Sequence, residues 1–424
     1  MNKCVAVFGA GLSGQSVANL AKSEGHSVTV FDETVGKKND FLKSDISCFD
    51  DFVFSPGFSK KHPWRELLSE KDSLYGELGY AAERWQGKIF GVTGTNGKTT
   101  VTRLLEKMLS ASGAEAHVAG NIGVPLSELV NSSANHKDAI AVCEISSFQA
   151  EITQGLSLDG LIWTNFAEDH MDRYDTMDEY FYSKCALFSC LKKSAPVCVS
   201  EDLLEFKDVN FWKSCGAKIV KVDKGFPRTL KETSVFQSYP HLFNYHLACG
   251  FIEELGLEGE DYAKVANDFE LDEHRLSKIF NQGGLKVWED SKSTNLHSVI
   301  GALKTVEGPV IWIGGGVSKN TNIANFAEII APMVDWVVVY GAIGEALNEA
   351  FLKIGKESSY FPQLDEAIQA GLRLSNGQKE VSILFSPGFA SFDQFNSYSD
   401  RGKFFQKTIF SLLKGSGCLY VKKN

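Results

Sequence analysis

Short apolar runs alternate with longer amphipathic stretches along this chain, and most runs empty into a glycine-rich or polar turn. Cys4–Phe8, Ser27–Phe31 and Phe52–Phe54 read as strands, and Gln15–Ser23 reads as a helix between the first two. Ile89–Val92 is a further strand, followed by a glycine turn and a helical pattern from Val101 to Leu109. Ala139–Glu144, Gly160–Trp163 and Pro196–Val199 predict strands, with helices over Met177–Leu191 and Phe243–Leu255. Leu285–Trp288, Val310–Ile313, Trp336–Val339 and Val381–Phe385 predict a third set. Strands alternating with helices in this way predict mostly parallel sheets covered on both faces.

Two breaks interrupt the alternation. The polar stretch Glu83–Gln86 reads as helical and Gly87 ends it; a second boundary falls near Leu271–Ser277. The expected fold is α/β in three domains: a Rossmann-like N-terminal domain over 1–87, a P-loop-type central ATPase domain over 88–273 and a Rossmann-like C-terminal domain over 274–424.

Composition narrows the function classes. A net charge of −10 argues against nucleic-acid binding, which needs a basic footprint. Nine cysteines include no C-x-x-C pair, and Cys4, Cys143, Cys198 and Cys249 sit in apolar segments, so core packing in a reducing compartment is expected rather than disulfides or zinc. The first apolar run flows into a glycine turn and reads as a strand, not a signal peptide. No apolar stretch approaches a membrane span. The expected location is cytoplasmic, with no membrane or nucleic-acid partner.

The chemistry gathers at the carboxyl ends of the strands. Gly94-Thr95-Asn96-Gly97-Lys98-Thr99-Thr100, between a strand and a helix, has the make-up of a phosphate cradle. Glycines let backbone N–H groups approach phosphates, Lys98 can reach the β/γ-phosphates and the Thr99 hydroxyl can bind Mg²⁺. A strict G-x-x-x-x-G-K-[ST] match needs glycine at position 92, where Val92 stands, so this is a variant loop. Glu144, ending a strand, is placed to meet a metal beside that loop; a helix-capping acid is the plainer alternative. Gly9-Ala10-Gly11-Leu12-Ser13-Gly14 with Asp32 has the G-x-G-x-x-G form of a dinucleotide site, though the geometry serves any phosphate at a helix N-terminus. Asp169-His170-Met171-Asp172 follows a strand and could bind metal or order a substrate; an acidic surface turn reads the same way. Asp290–Asn295 and Gly314–Lys319 follow strands too, pointing to one ligand-bearing edge.

These motifs resemble the Mur ligases of peptidoglycan synthesis. The resemblance rests on Gly94–Thr99, Gly120-Asn121-Ile122-Gly123, Glu144-Ile145-Ser146-Ser147-Phe148-Gln149 and Asp169–Tyr174. It extends through Glu273-His274-Arg275, Asp290–Asn295 and Ser386–Phe395, in the family's order over nearly the whole chain. The Ser-Ser-Phe-Gln stretch is similar to that of the branch adding D-glutamate. The resemblance implies ATP-dependent joining of D-glutamate to UDP-N-acetylmuramoyl-L-alanine through an acyl phosphate, with two Mg²⁺ sites, in a monomer. A sister ligase adding another amino acid and an NAD-dependent oxidoreductase are the alternatives.

Site residues follow from the resemblance by position. It implies that Leu12, Ser13, Asp32, Glu33, Thr34 and Gly57 hold the UDP-linked substrate, with Asn121 beside its reacting end. Lys98, His170, Lys184 and Asn121 would be catalytic, and Thr99, Glu144, His170 and Lys184 would hold metal, Lys184 as a carbamate. Gly94, Thr95, Asn96, Gly97, Lys98, Thr99, Thr100, Asn244, Arg275, Asp290 and Lys292 would bind ATP. Thr294, Lys319, Ser391 and Tyr398 would bind D-glutamate. The chain departs from the family pattern at Phe243, Leu247, Phe389 and Tyr398, which touches the adenine and amino-acid contacts.

Overall fold

The computed structural model describes residues 2–33, 41–220, 230–237, 239–257 and 262–415. Thr34, expected at the UDP-substrate site, lies outside them. The chain divides into two compact units, one holding the first two sheets and the other holding the third sheet together with Ala167–Asp175.

The first sheet contains β1 (Cys4–Phe8), β2 (Ser27–Phe31), β3 (Asp51–Phe54) and β4 (Leu74–Gly76), all parallel in the order β2-β1-β3-β4. Successive β1 side chains face opposite ways, and both sets are apolar. Val5 and Val7 pack with Val17 and Leu20, whereas Ala6 and Phe8 pack with Phe31, Phe54 and Trp64. Gly14 lies inside the helix Leu12–Ser23, and only glycine fits there, because a Cβ would lie 1.8 Å from the Gly9 carbonyl oxygen. The helix therefore starts three residues earlier than the sequence suggests.

The second sheet contains β5 (Lys88–Thr93), β6 (Glu115–Gly120), β7 (Ala139–Glu144), β8 (Gly160–Trp163), β9 (Val197–Ser200) and β10 (Ala217–Val220), in the order β10-β9-β8-β5-β7-β6. Its pairings are parallel. The chain winds away from β5 on both sides, so the turn after β5 opens where neighbouring connections diverge, the usual ligand crevice of such sheets.

The third sheet contains β11 (Ser277–Gln282), β12 (Leu285–Glu289), β13 (Val310–Gly315), β14 (Trp336–Tyr340), β15 (Ser358–Phe361) and β16 (Val381–Gly388), in the order β11-β12-β16-β13-β14-β15. Only β11 runs antiparallel to its neighbour, through a hairpin at Gly283-Gly284, whose φ angles are 61° and 84°.

Other helical boundaries also differ from the sequence reading, as where the helix read over Phe243–Leu255 runs from His241 to Glu254. Helix Glu77–Ala82 ends before Glu83–Gln86, which is turn and loop. Met177–Leu191 is an α-helix only to Cys185, then a 3-10 turn over Ala186–Cys190. The helix behind the phosphate loop starts at Lys98, capped by Gly97 at φ 79°. Cys4 is exposed, not core, and the eight described cysteines are all unpaired thiols.

Candidate active site

In the first unit, the Gly94–Thr99 turn is held from behind by β8 and its exit. Thr95 N donates to Asn165 O at 3.0 Å and Asn96 N to Asn165 Oδ1 at 2.8 Å; Thr164 Oγ1 donates to Asn96 O at 2.6 Å. The approach is too close for side chains. At Gly94 (φ 142°) a Cβ would lie 1.9 Å from Thr164 Oγ1, and at Gly97 it would lie 2.5 Å from Asn244 Oδ1. Asn244, expected near adenine, thus lies against the loop. Lys98 Nζ folds back onto the Gly94 and Thr95 carbonyls at 3.0 and 2.7 Å. Those carbonyls hold the ammonium over the loop, where phosphate oxygens are expected.

A carboxylate closes one side. Thr99 Oγ1 donates to Glu144 Oε2 at 2.7 Å, and Asn121 Nδ2 donates to Oε1 at 2.7 Å. The parallel pairing of β6 and β7 brings Gly120 opposite Glu144, and Asn121 N donates to the Glu144 carbonyl at 2.9 Å. Main-chain register therefore sets this trio. Glu144 is 2% exposed and meets the first turn of the helix Lys98–Ala111 through Thr99.

Lys184 is 1% exposed, on the helix Met177–Cys185, with Nζ donating to Gly94 O at 3.0 Å. Its Nζ also lies 4.8 Å from the Tyr180 ring centroid, and the Tyr180 hydroxyl is 3.2 Å from Thr95 Oγ1. The plain reading of Lys184 as a solvated helix residue is thereby excluded. Tyr180 and Asn165 were not singled out by the sequence reading; Asn165 stands after a strand like the other ligand loops, whereas nothing in the local pattern marks Tyr180.

On the first sheet, Asp32 Oδ2 accepts from Ala10 N at 2.5 Å, tying the end of β2 to the glycine turn. Leu12 opens the following helix with its side chain 66% exposed, beside Ser13. Glu33 pairs with His62 Nε2 at 3.2 Å, and Gly57 is exposed in the turn after β3. These residues line the carboxyl edge of the sheet and leave an open ledge.

In the second unit, Asp169 accepts from Lys319 Nζ at 3.0 Å and from Asn295 Nδ2 at 3.0 Å. Burial works to raise the Asp169 pKa, but the His170 and Lys319 charges and the Asn295 and Lys319 hydrogen bonds win, and it is lowered. His170, with a left-handed φ of 58°, has Nε2 3.8 Å from Asp169 Oδ2. Glu168, Asp169, His170, Thr294 and Lys319 help line a small recess. Thr294 and Lys319 are thus brought together; Ser391, 2% exposed, and Tyr398 belong to the segment after β16 and do not line that recess.

The loop after β12 is braced by buried polar groups. Asp290 accepts from Ser386 Oγ at 2.9 Å and Leu276 N at 3.0 Å, and burial pushes its pKa up to about 7. Glu289 accepts from His274 Nδ1 at 2.7 Å, Ser291 N at 2.7 Å and Gln406 Nε2 at 3.0 Å. Arg275 Nε is 3.7 Å from Asp272. Arg401, fully buried, donates to Ser291 and to the Phe389 carbonyl. Arg401 carries no sequence signal: it is one arginine in the long helix Tyr398–Gly415.

The donor set around Thr99 suits Mg²⁺. A hydroxyl and a carboxylate are hard oxygens, and Mg²⁺ takes one or two such protein ligands, completing its shell with phosphate and water. Among the described residues, no group of three or more His, Cys, Asp or Glu side chains forms a metal cage.

Comparison with known proteins gives the family. The Mur ligase middle domain matches residues 92–233, and the Mur ligase, glutamate ligase domain matches 274–388. A UDP-N-acetylmuramoylalanine--D-glutamate ligase of Aquifex aeolicus (strain VF5) is 30% identical over 95% of this chain and 97% of its own length. Another, of Prochlorococcus marinus (strain MIT 9312), is 29% identical over 96% of each. Among solved structures, MurF ligase from Thermotoga maritima in complex with ADP aligns at a TM-score of 0.62 with 14% identity, covering 98% of this chain and 96% of that one. UDP-N-acetylmuramate-alanine ligase MurC from Thermotoga maritima aligns at 0.59 with 17% identity, covering 98% and 100%. At such identities these two speak for the fold alone. Two domain matches in order and full-length relatives lead to one conclusion: this chain belongs to the Mur ligase family of ATP-dependent ligases.

Proposed function

We propose that this chain joins D-glutamate to UDP-N-acetylmuramoyl-L-alanine at the expense of ATP, giving ADP and phosphate in peptidoglycan precursor synthesis. The relatives that span its length carry that activity in their names. The observation that carries the chemistry is the Thr99–Glu144–Asn121 trio beside Lys98 on the phosphate loop.

A carboxylate is a poor electrophile, and phosphorylation gives it a leaving group. The substrate carboxylate attacks the γ-phosphorus and displaces ADP; the D-glutamate amine then attacks the carbonyl carbon of the acyl phosphate, loses a proton and expels phosphate. The first step brings two anions together, so positive charge is the main demand. Lys98 supplies it from the loop, and Mg²⁺, when bound at Thr99 and Glu144, supplies further charge neutralisation. Asn121, anchored to Glu144, is suited to orient the substrate carboxylate. Lys184 faces the same loop from behind, where reaction of its neutral amine with CO₂ would give a carbamate anion able to bind Mg²⁺; His170 is read as a ligand of a second Mg²⁺.

The reading takes 1–87 as the UDP-substrate domain, with Leu12, Ser13, Asp32, Glu33, Thr34 and Gly57 as contacts. It takes 88–273 as the ATP domain and 274–424 as the amino-acid domain. Asn244, Arg275, Asp290 and Lys292 serve ATP; Thr294, Lys319, Ser391 and Tyr398 serve D-glutamate. The ammonium of Lys319, which lines the recess with Thr294 and pairs there with the Asp169 carboxylate, supports this reading as a group suited to a carboxylate. The enzyme works as a cytoplasmic monomer; no described helix is long and apolar enough to cross a membrane. Phosphate release across a panel of amino acids tests the reading: D-glutamate should support it, and equal release with L-alanine or L-glutamate would overturn it.

A further inference from the structure

Two loops that the proposed function gives to different ligands meet at one ring. Lys292 Nζ lies 3.8 Å from the Tyr398 ring centroid. The main chain beneath is fixed on both sides: Lys292 N donates to His274 O at 3.0 Å, and Ser291 Oγ donates to Tyr398 O at 2.8 Å. Arg401, in the same helix as Tyr398, donates to Ser291 Oγ at 3.0 Å, Ser291 O at 2.7 Å and Phe389 O at 2.9 Å. The loop after β12, the segment after β16 and the start of helix Tyr398–Gly415 are therefore one braced body. Its adjustable parts at this point are the Lys292 side chain and the ring beneath it. Lys292 is half-buried and Tyr398 is 36% exposed, so both remain within reach of ligands.

We propose that the Tyr398 ring couples nucleotide binding to amino-acid binding by holding the Lys292 ammonium in place. This rests on the reading above, which assigns Lys292 to ATP and Tyr398 to D-glutamate. A flexible lysine loses much rotamer freedom when it engages a phosphate. A ring that already holds the ammonium removes part of that loss, and an amino acid packed on Tyr398 orders the ring. Each ligand thus tightens the other by the same factor. An exposed cation–π contact of about 0.5–1 kcal/mol corresponds to about two- to fivefold.

The test is the affinity of a non-hydrolysable ATP analogue with Mg²⁺ and UDP-N-acetylmuramoyl-L-alanine, measured with and without D-glutamate on the full chain. Wild type should bind the analogue about two- to fivefold more tightly when D-glutamate is present. Tyr398→Phe keeps a ring and should keep the effect; Tyr398→Leu should lose it. In a Lys292→Met background, Tyr398→Leu should not further alter the effect of saturating D-glutamate on analogue affinity. Equal tightening in Tyr398→Leu, or its absence in a wild-type enzyme that releases phosphate with D-glutamate, overturns the coupling alone. A wild type that releases phosphate only with another amino acid overturns the underlying reading as well.

Discussion

Thr99 Oγ1 and Glu144 Oε2 are 2.7 Å apart, which joins the first turn behind the phosphate loop to the end of the neighbouring strand. Glu144 also takes the Asn121 amide, so one buried carboxylate organises the hydroxyl and amide beside the proposed site of phosphoryl transfer. Replacing Glu144 with Ala should leave two donors without their acceptor and remove the hard anion. A loss of at least about a hundredfold in turnover is expected, since electrostatic groups of this kind are worth that much. Steady-state phosphate release measures it, and a change under threefold would contradict the assignment.

Lys98→Ala should abolish turnover while leaving the UDP-linked substrate able to bind. The loop belongs to the second sheet, whereas Asp32 and the first glycine turn belong to the first. Calorimetric titration of the variant with UDP-N-acetylmuramoyl-L-alanine should give an affinity within about threefold of wild type. Loss of that affinity would mean that the two ligand sites are not separable as proposed.

Burial of Lys184 makes its chemistry testable. Carbamylation should appear as a ¹³C resonance on equilibration with labelled bicarbonate and vanish in Lys184→Ala. That variant should be inactive and regain part of its turnover with short-chain carboxylates, which restore an anion in the vacated space. A fully active Lys184→Ala would sink the role.

Gly94 has no room for a methyl group. Gly94→Ala would drive a Cβ against Thr164 Oγ1 at a φ of 142°, and loss of about 1–3 kcal/mol of stability is expected from the strained backbone. Denaturant unfolding measures this, and an unchanged midpoint would contradict the close approach.

Asp290 predicts a pH dependence of a stated sign. Its folded pKa of about 7 lies above the ordinary 3.8 because the carboxyl is buried. Between those values the folded state holds a proton that the unfolded state has released, so stability falls as pH rises from about 4 to 7. Asp290→Asn should gain on wild type by up to a few kcal/mol between pH 5 and pH 8. Parallel stability curves across that window would contradict it.

Most of the fold was legible, and the strands that were missed share one physical cause. β4, β6, β10, β11 and β15 were not recognised, and each is an edge strand. Edge positions need not be apolar on both faces: β6 and β11 keep most residues partly exposed, as in Glu115–Gly120 and Ser277–Gln282. Central strands such as Ala139–Glu144 and Val310–Ile313 are buried throughout and announce themselves. The phosphate loop, Glu144 and the Asp169 cluster were readable because chemistry limits their residue types. Lys184 was readable only through its family motif, since its burial comes from packing against Gly94 and Tyr180, far off in sequence or unmarked. Arg401 and the His274–Glu289 pair depend wholly on tertiary placement.

Omission of each reactant in turn tests the central claim most directly. With Mg²⁺, ATP, UDP-N-acetylmuramoyl-L-alanine and D-glutamate together, the purified chain should yield ADP, phosphate and a nucleotide-linked product heavier by one glutamyl residue, and leaving out any one should stop product formation. Failure to form that product from the complete mixture, with the chain folded, would contradict the account.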